Sequence, residues 1–460
     1  MSRPYCQFPI TLALLAFPVF AADTPGSEAP VTFSKDVAPI LYKNCAGCHR
    51  PNDIAPMSLL TYKDARPWAA SIRQAVVQRI MPPWHADPHF GKFANDPRLR
   101  DEEIATISAW AKQGAKEGNP ADLPPQPKFN DDWKIGKPDA IVDIGQDFKV
   151  DRKSVPDEYV YFTVDPHFTK DTWVKAVELR PGNRRVVHHA HVWIDTPETA
   201  ESRPRVDANG NPIPNYVYKD EYGLQRLKPD APVIQNGCLK EDGGNLPGRK
   251  LNDGTGPLGS YLPGKAPDAY PPGTAKLIPA GAKLKFQLHY NNTIGSPQTD
   301  RTQVGFIFAD RPPEHPLRRV DSSAYLFLIP PGESNQEVSN CTTFQKDVML
   351  MSYVAHMHFR GKDMRFEIER PNGQRETLLF VPHYSFAWQQ IYRLQDPVRV
   401  EKGTRLIVTA HFDNSSNNKW NPDPTKTVRW GEPSTSEMMD GWVEYIDAPP
   451  AKPSQFTAQR

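Results

Sequence analysis

Apolar side chains recur at two different periods along this chain, and the change of period divides it. Phe33, Val37, Ile40 and Leu41 fall on one helical face. So do Ile104, Ile107, Trp110 and Ala111, after the acidic start Asp101-Glu102-Glu103. Near Gly118 this texture ends, and Asn119-Pro120 with Pro124-Pro125-Gln126-Pro127 reads as a linker. From about residue 140 the apolar runs are short, and several alternate every second residue. Clusters of Pro, Gly, Asn and Asp separate them. Predicted strands include Tyr159 to Val164, Val186 to Ile194, Lys283 to Tyr290, Val348 to Phe359 and Arg405 to Phe412. About 300 residues of such texture exceed one sandwich, so two antiparallel sandwiches or barrels are expected.

Composition sharpens this picture. The 460 residues suit about three domains. A Pro count of 49, with 38% hydrophobic residues, favours turn-rich β structure over long helices. Lys and Arg total 55 against 54 Asp and Glu, so no basic excess exists to neutralise phosphates, and nucleic acid is not an expected partner. Arg3 precedes an apolar run from Phe8 to Phe20, and Val19-Phe20-Ala21 offers a cleavage site; residues 1–21 therefore read as an export signal. That run is too short to span a bilayer comfortably, and no other stretch is long and apolar enough. A periplasmic location is the expectation. Cys6 leaves with the signal, while Cys238 and Cys341 read equally as a disulfide or as two buried thiols. A Gly- and Pro-rich insert from roughly Pro204 to Pro279 is long enough to be functional or disordered.

Candidate chemistry is concentrated first in Cys45-Ala46-Gly47-Cys48-His49. C-x-x-C-H is the attachment signature of a c-type haem, with the thiols as thioether links and His49 as the proximal iron ligand. Attachment of such a haem outside the cytoplasm agrees with the export signal. Two helices bracketing this loop resemble the small cytochrome c fold. The sixth iron ligand should be a thioether or an imidazole. Met81, in a Pro-bounded segment, is the preferred candidate and Met57 its rival.

Six further histidines fall on three predicted strands. Alternation puts His356 and His358 on one face, a sound pair of metal ligands, and puts His289 on the face of Lys285 and Gln287. In His188-His189-Ala190-His191 strict alternation pairs His189 with His191. Adjacent His188 and His189 meet one metal only at a bulge or a strand end, and the sequence leaves this open. Imidazole suits zinc, copper, iron and nickel. Zinc would leave a haem in the same chain without a role, whereas a redox metal gives it one. A thioether from Glu437-Met438-Met439-Asp440 would favour copper.

The ordered set His188-His189, Leu288-His289-Tyr290, Ala355-His356-Met357-His358 and Glu437-Met438 resembles the copper type II, ascorbate-dependent monooxygenases over about residues 155 to 448. That family includes the peptidylglycine and dopamine enzymes. The resemblance implies two copper ions, one held by His188, His189 and His289, the other by His356, His358 and Met438. The second would bind O2 and hydroxylate a C–H bond, so His356, His358 and Met438 are the catalytic candidates. His191 has no ligand role by this match. The implied architecture is a small all-α cytochrome c domain (30–118), a linker (119–154), and two all-β jelly-roll sandwiches (155–312 and 313–448). The peptidylglycine enzymes carry an Arg two residues before the His-x-His; here Val354 stands there, which disfavours a peptide C-terminus as substrate. The expected function is copper-dependent hydroxylation of a small organic substrate with O2. Electrons would come from an external donor through heme c. The alternative built from the same parts is a non-enzymatic haem and copper carrier.

Overall fold

The computed structural model describes residues 30–449, apart from 52, 54, 130–131, 152–157, 196–215, 221–223, 240–256, 263–264 and 293–295. The export signal and much of the Pro204 to Pro279 insert lie outside the described residues.

The expected plan, an all-α cytochrome c domain followed by two jelly-roll sandwiches, is not the one the chain adopts. The molecule is mostly β. Its α-helices are short: Ala38–Asn44, Tyr62–Ala65, Ala69–Val77 and Asp101–Lys112. Among the described residues the strands form seven small sheets, three of them two-stranded ribbons.

The physical reason for the first failure lies between residues 82 and 95. Pro82, Pro83 and Pro88 prevent helix there. The segment instead runs out to the β part of the molecule. Asp87 N–H donates to Phe380 O at 2.8 Å, Ala94 N–H to Arg393 O at 2.8 Å, and Phe93 bridges Leu394. Trp84 packs edge-on and Phe93 tilted against Tyr392, at ring distances of 4.9 and 5.5 Å, inside a β core. The helices keep only a small core of their own around Phe33, Leu41, Ile107 and Trp110. The second failure reflects breaks in pairing. Bulges within Val348–His356, Gly361–Glu369 and Val187–Asp195 interrupt the ladders and keep the sheets small.

Two larger cores organise the β structure. In the first, the sheet ordered Glu158–Val164, Lys283–Tyr290, Val187–Asp195, Gly259–Tyr261 turns Leu284, Phe286, Leu288, Ala190 and Val192 inward. Their alternation with Lys285, Gln287 and His289 leaves a second face for chemistry. In the second core, Val348–His356 lies between Asp440–Asp447 and Ile391–Val400. Within the insert, Leu227 and Ala231 pack on this second core, while Leu258 and Ile278 belong to the first. Cys238 forms a disulfide with Cys341 there, Cα to Cα 5.1 Å, so the thiols left open by the sequence are paired.

Between the cores runs a seam of buried charge. Lys276 Nζ reaches Glu444 Oε1 at 2.8 Å and donates to Pro257 O at 2.9 Å. Glu444 also accepts from Ser352 Oγ, and Lys276 and Arg393 hold its carboxyl down at about 2 against the pull of burial. Asp268 takes Lys265 at 2.6 Å and Arg393 at 3.3 Å. Among the described residues, no helix is long and apolar enough to cross a membrane.

Candidate metal centre

His188, His189 and His289 come together at the end of two paired strands. His289 opposes His189 and Tyr290 opposes Val187, so the register skips His188. This irregularity is the bulge that the sequence required but did not reveal, and it turns both adjacent histidines to one side. The three ligand nitrogens lie within 4.8 Å of one another. Nδ1 of His289 is 3.3 Å from that of His188 and 3.2 Å from that of His189. A neutral imidazole carries one N–H, and with it on Nε2 in each ring the three Nδ1 lone pairs face one another. A cation at their centre relieves that conflict, and the donor set fits a metal that takes imidazole.

Burial supports the same chemistry. His189 and His289 are 4% and 2% exposed, and burial holds the His189 ring neutral, the form that ligates. Tyr159 stacks flat on His289 at 4.4 Å, which fixes that ring. His191 shares the face of His189, as alternation predicted, with rings 5.4 Å apart, but it is not one of the three. Its Nδ1 is buried without a hydrogen-bond partner, and burial lowers its pKa to about 3. It faces the seam instead, in a cavity of about 60 Å³ shared with Arg319, Val354 and Trp442.

The second cluster is built differently. His356 ends its strand, His358 follows, and their rings are 5.3 Å apart at 86°. Each Nδ1 already has a carbonyl partner: Gln389 Oε1 at 2.9 Å for His356, and Ser436 O at 3.1 Å for His358. With the proton on Nδ1, each Nε2 presents its lone pair outward, the arrangement that outer partners impose on metal-bound histidines. His356 also stacks on Trp442 at 5.6 Å. Met438 is brought to this neighbourhood by its chain neighbours. Glu437 accepts from His358 N–H at 2.8 Å and from Arg360 N–H at 2.7 Å, while Asp440 opposes His356 in the ladder. Burial raises the Glu437 carboxyl to about 7.

One cavity of about 630 Å³ is lined by His188 and His289 on one side and His358 on the other. Phe386 sits between the clusters, its ring 6.4 Å from His188, 6.5 Å from His356 and 5.4 Å from His358. Phe386, Gln389 and Tyr159 carried no signal in the sequence, because two lie in a loop and the third is an ordinary strand aromatic. Glu437 adjoined a motif residue and was the one outer partner within reach of sequence reasoning.

The Cys45 to His49 loop continues the helix Ala38–Asn44 as a turn, with Cys48 N–H and His49 N–H both donating to Cys45 O. Cys45 and Cys48 are not disulfide-bonded, and burial pushes the Cys45 thiol up to about 12. His49 Nδ1 lies 3.3 Å from Met57 O. Met57 packs against the same small core as Cys45, and Met81 N–H donates to Ala75 O at 3.3 Å. Cys48 faces a cavity of about 210 Å³ walled opposite by Ser260 and Tyr261, which pair in the ladder with His191 and Ala190.

Comparisons with known proteins complete the description. PNGF-II is similar at 12% identity, with a TM-score of 0.28, over 67% of this chain and 66% of that one, just under two thirds of its length. The major capsid protein P2 from Bacteriophage PM2 is similar at 9% identity, with a TM-score of 0.24, over 66% of this chain and 97% of that one. Likenesses this low carry no argument about function. No curated protein sequence matches the chain. Residues 322–455, which carry His356, His358 and Met438, match the family model described as copper type II ascorbate-dependent monooxygenase, C-terminal domain, and that match supports this family and copper-dependent oxidation for the chain.

Proposed function

We propose that this protein is a periplasmic monooxygenase that uses two copper ions and O2 to hydroxylate a C–H bond of a small organic substrate. In this reading a c-type haem at Cys45, Cys48 and His49 relays electrons from an external donor. The observation that carries it is the pair of histidine clusters facing one cavity, the second inside the matched region. His188, His189 and His289 would hold one ion, and His356, His358 and Met438 the other. Bound copper supplies the one-electron and O2 chemistry that no side chain here provides. The protein's own part is placement. Gln389 and Ser436 orient the second pair, burial keeps the His189 and His356 rings neutral, and the cavity admits substrate between the clusters.

The haem rests on the C-x-x-C-H motif and on two thiols left free for thioether links. Met81, or its rival Met57, would supply the further iron ligand beside His49. The closeness of the Cys48 cavity to the strand beside His189 supports a relay. Metal and haem analysis of the exported protein tests the whole reading. Two coppers per haem are expected in the parent and one after His356→Ala; a parent without copper overturns the proposal. In the reduced protein, haem reoxidation by O2 should require copper.

A further inference from the structure

The cavity between the histidine clusters has a mouth that neither cluster explains. Trp420 lies there with 68% of its surface exposed, more than any other large apolar side chain among the described residues. Its exposure is built in. Asn418 accepts from Trp420 N–H at 3.0 Å while its own amide donates to Phe359 O at 3.1 Å and Asp413 O at 3.0 Å. Asn414, tied to Arg360 at 2.8 Å and to Asn421 at 3.0 Å, fixes the same loop behind His358. A loop held this firmly presents a bare indole to the cavity instead of folding it away. Deeper in, Phe386 and Phe359 meet at 4.9 Å beside His358.

Lysines outnumber carboxylates among the residues that line this cavity. Lys419 Nζ lies 5.1 Å from the Trp420 ring, and Lys362 lines the same wall. Asp413 is the one carboxylate lining the cavity, and it accepts from Ser415 N–H at 2.9 Å. An ammonium beside the Trp420 face, with the Lys362 ammonium tied to Asn335 Oδ1 at 2.6 Å in the same cavity lining, suits a ligand with a ring and a negative charge.

We propose that this cavity binds small aromatic anions, the ring against Trp420 and Phe386 and the anionic group toward Lys362 and Lys419. This deepens the proposed function and rests on it. The anion-binding wall lies away from Val354, where the resembled peptide enzymes place their Arg. An anionic group at the mouth leaves the far, apolar end of the ligand toward His358, where a C–H bond would be attacked.

Isothermal titration of the full chain with phenylacetate, 2-phenylethanol and acetate tests this. Phenylacetate should bind about fivefold more tightly than its neutral counterpart at low ionic strength, in line with one or two half-exposed charge contacts. Lys362→Met with Lys419→Met should bring that ratio close to one. Trp420→Leu should weaken both aromatic ligands about fivefold and leave acetate unchanged. Equal or tighter binding of 2-phenylethanol overturns the proposal. So does an unchanged ratio in the lysine variant, which would mean that the carboxylate meets a metal directly. Copper counted in the same samples separates the two readings. Two coppers with no phenylacetate binding removes this inference alone, and absent copper removes the function beneath it.

Discussion

The two histidine clusters reach metal-binding geometry by opposite routes. At the first, three Nδ1 atoms converge because a bulge at His188 and a stacked Tyr159 force the rings together. The nitrogens crowd one another, and the backbone itself makes the site. At the second, two rings stand at 86° with their Nδ1 atoms tied to Gln389 and Ser436. Here hydrogen-bond partners orient the rings and make the site. A closed set of three imidazoles suits an ion that only exchanges electrons. A set with fewer imidazoles suits one that must also meet a ligand. The difference teaches that two clusters of the same residue type can be supported by different means, backbone register in one and side-chain hydrogen bonds in the other.

The comparison depends first on the seam that holds the clusters face to face. Lys276→Met leaves Glu444 buried without its main partner. Loss of about 3 kcal/mol in urea unfolding is expected, the lower end for a broken buried pair because Glu444 keeps some exposure. The pH dependence has a definite sign. Glu444 is held at about 2 against an ordinary 4.5, so its stabilisation is full above the ordinary value and fades as pH falls toward 2. The variant should lose that acid limb; an unchanged limb would assign it elsewhere.

Removing a crowded ligand should act next. His289→Ala is expected to weaken copper at the first cluster more than about a hundredfold, beyond the range for outer partners. Copper at the second cluster should remain, as read from copper per protein and the spectrum of the oxidised metal. If one substitution empties both clusters, they are not separate sites. The smallest effect probes the outer partners. Gln389→Leu frees the His356 ring to rotate and should cost the second cluster about tenfold in copper affinity, with the first unchanged. Equal weakening of both would remove the distinction in support.

Part of this was legible in the chain and part was not. Alternation put His289 on the face opposite Leu288, because strand parity depends only on neighbours two residues apart, whereas His358 lies past the end of its strand and meets His356 without that parity. The C-x-x-C-H loop and the change from helical to strand texture were equally local. The failed all-α domain marks the limit of that reasoning. Trp84 and Phe93 look like parts of an irregular helical domain, yet they are buried against Tyr392, about 300 residues away.

What the sequence by itself determined was which side chains share a face and which thiols and imidazole stand together around Cys45. Those relations are set by backbone geometry over a few residues. Tertiary structure alone decided that His188 turns in beside His189, that Cys238 finds Cys341, and that Phe386 separates the clusters. Each of these depends on register between strands or on loops docking across the seam. Such pairings depend on the summed packing of distant segments, and no local pattern encodes them.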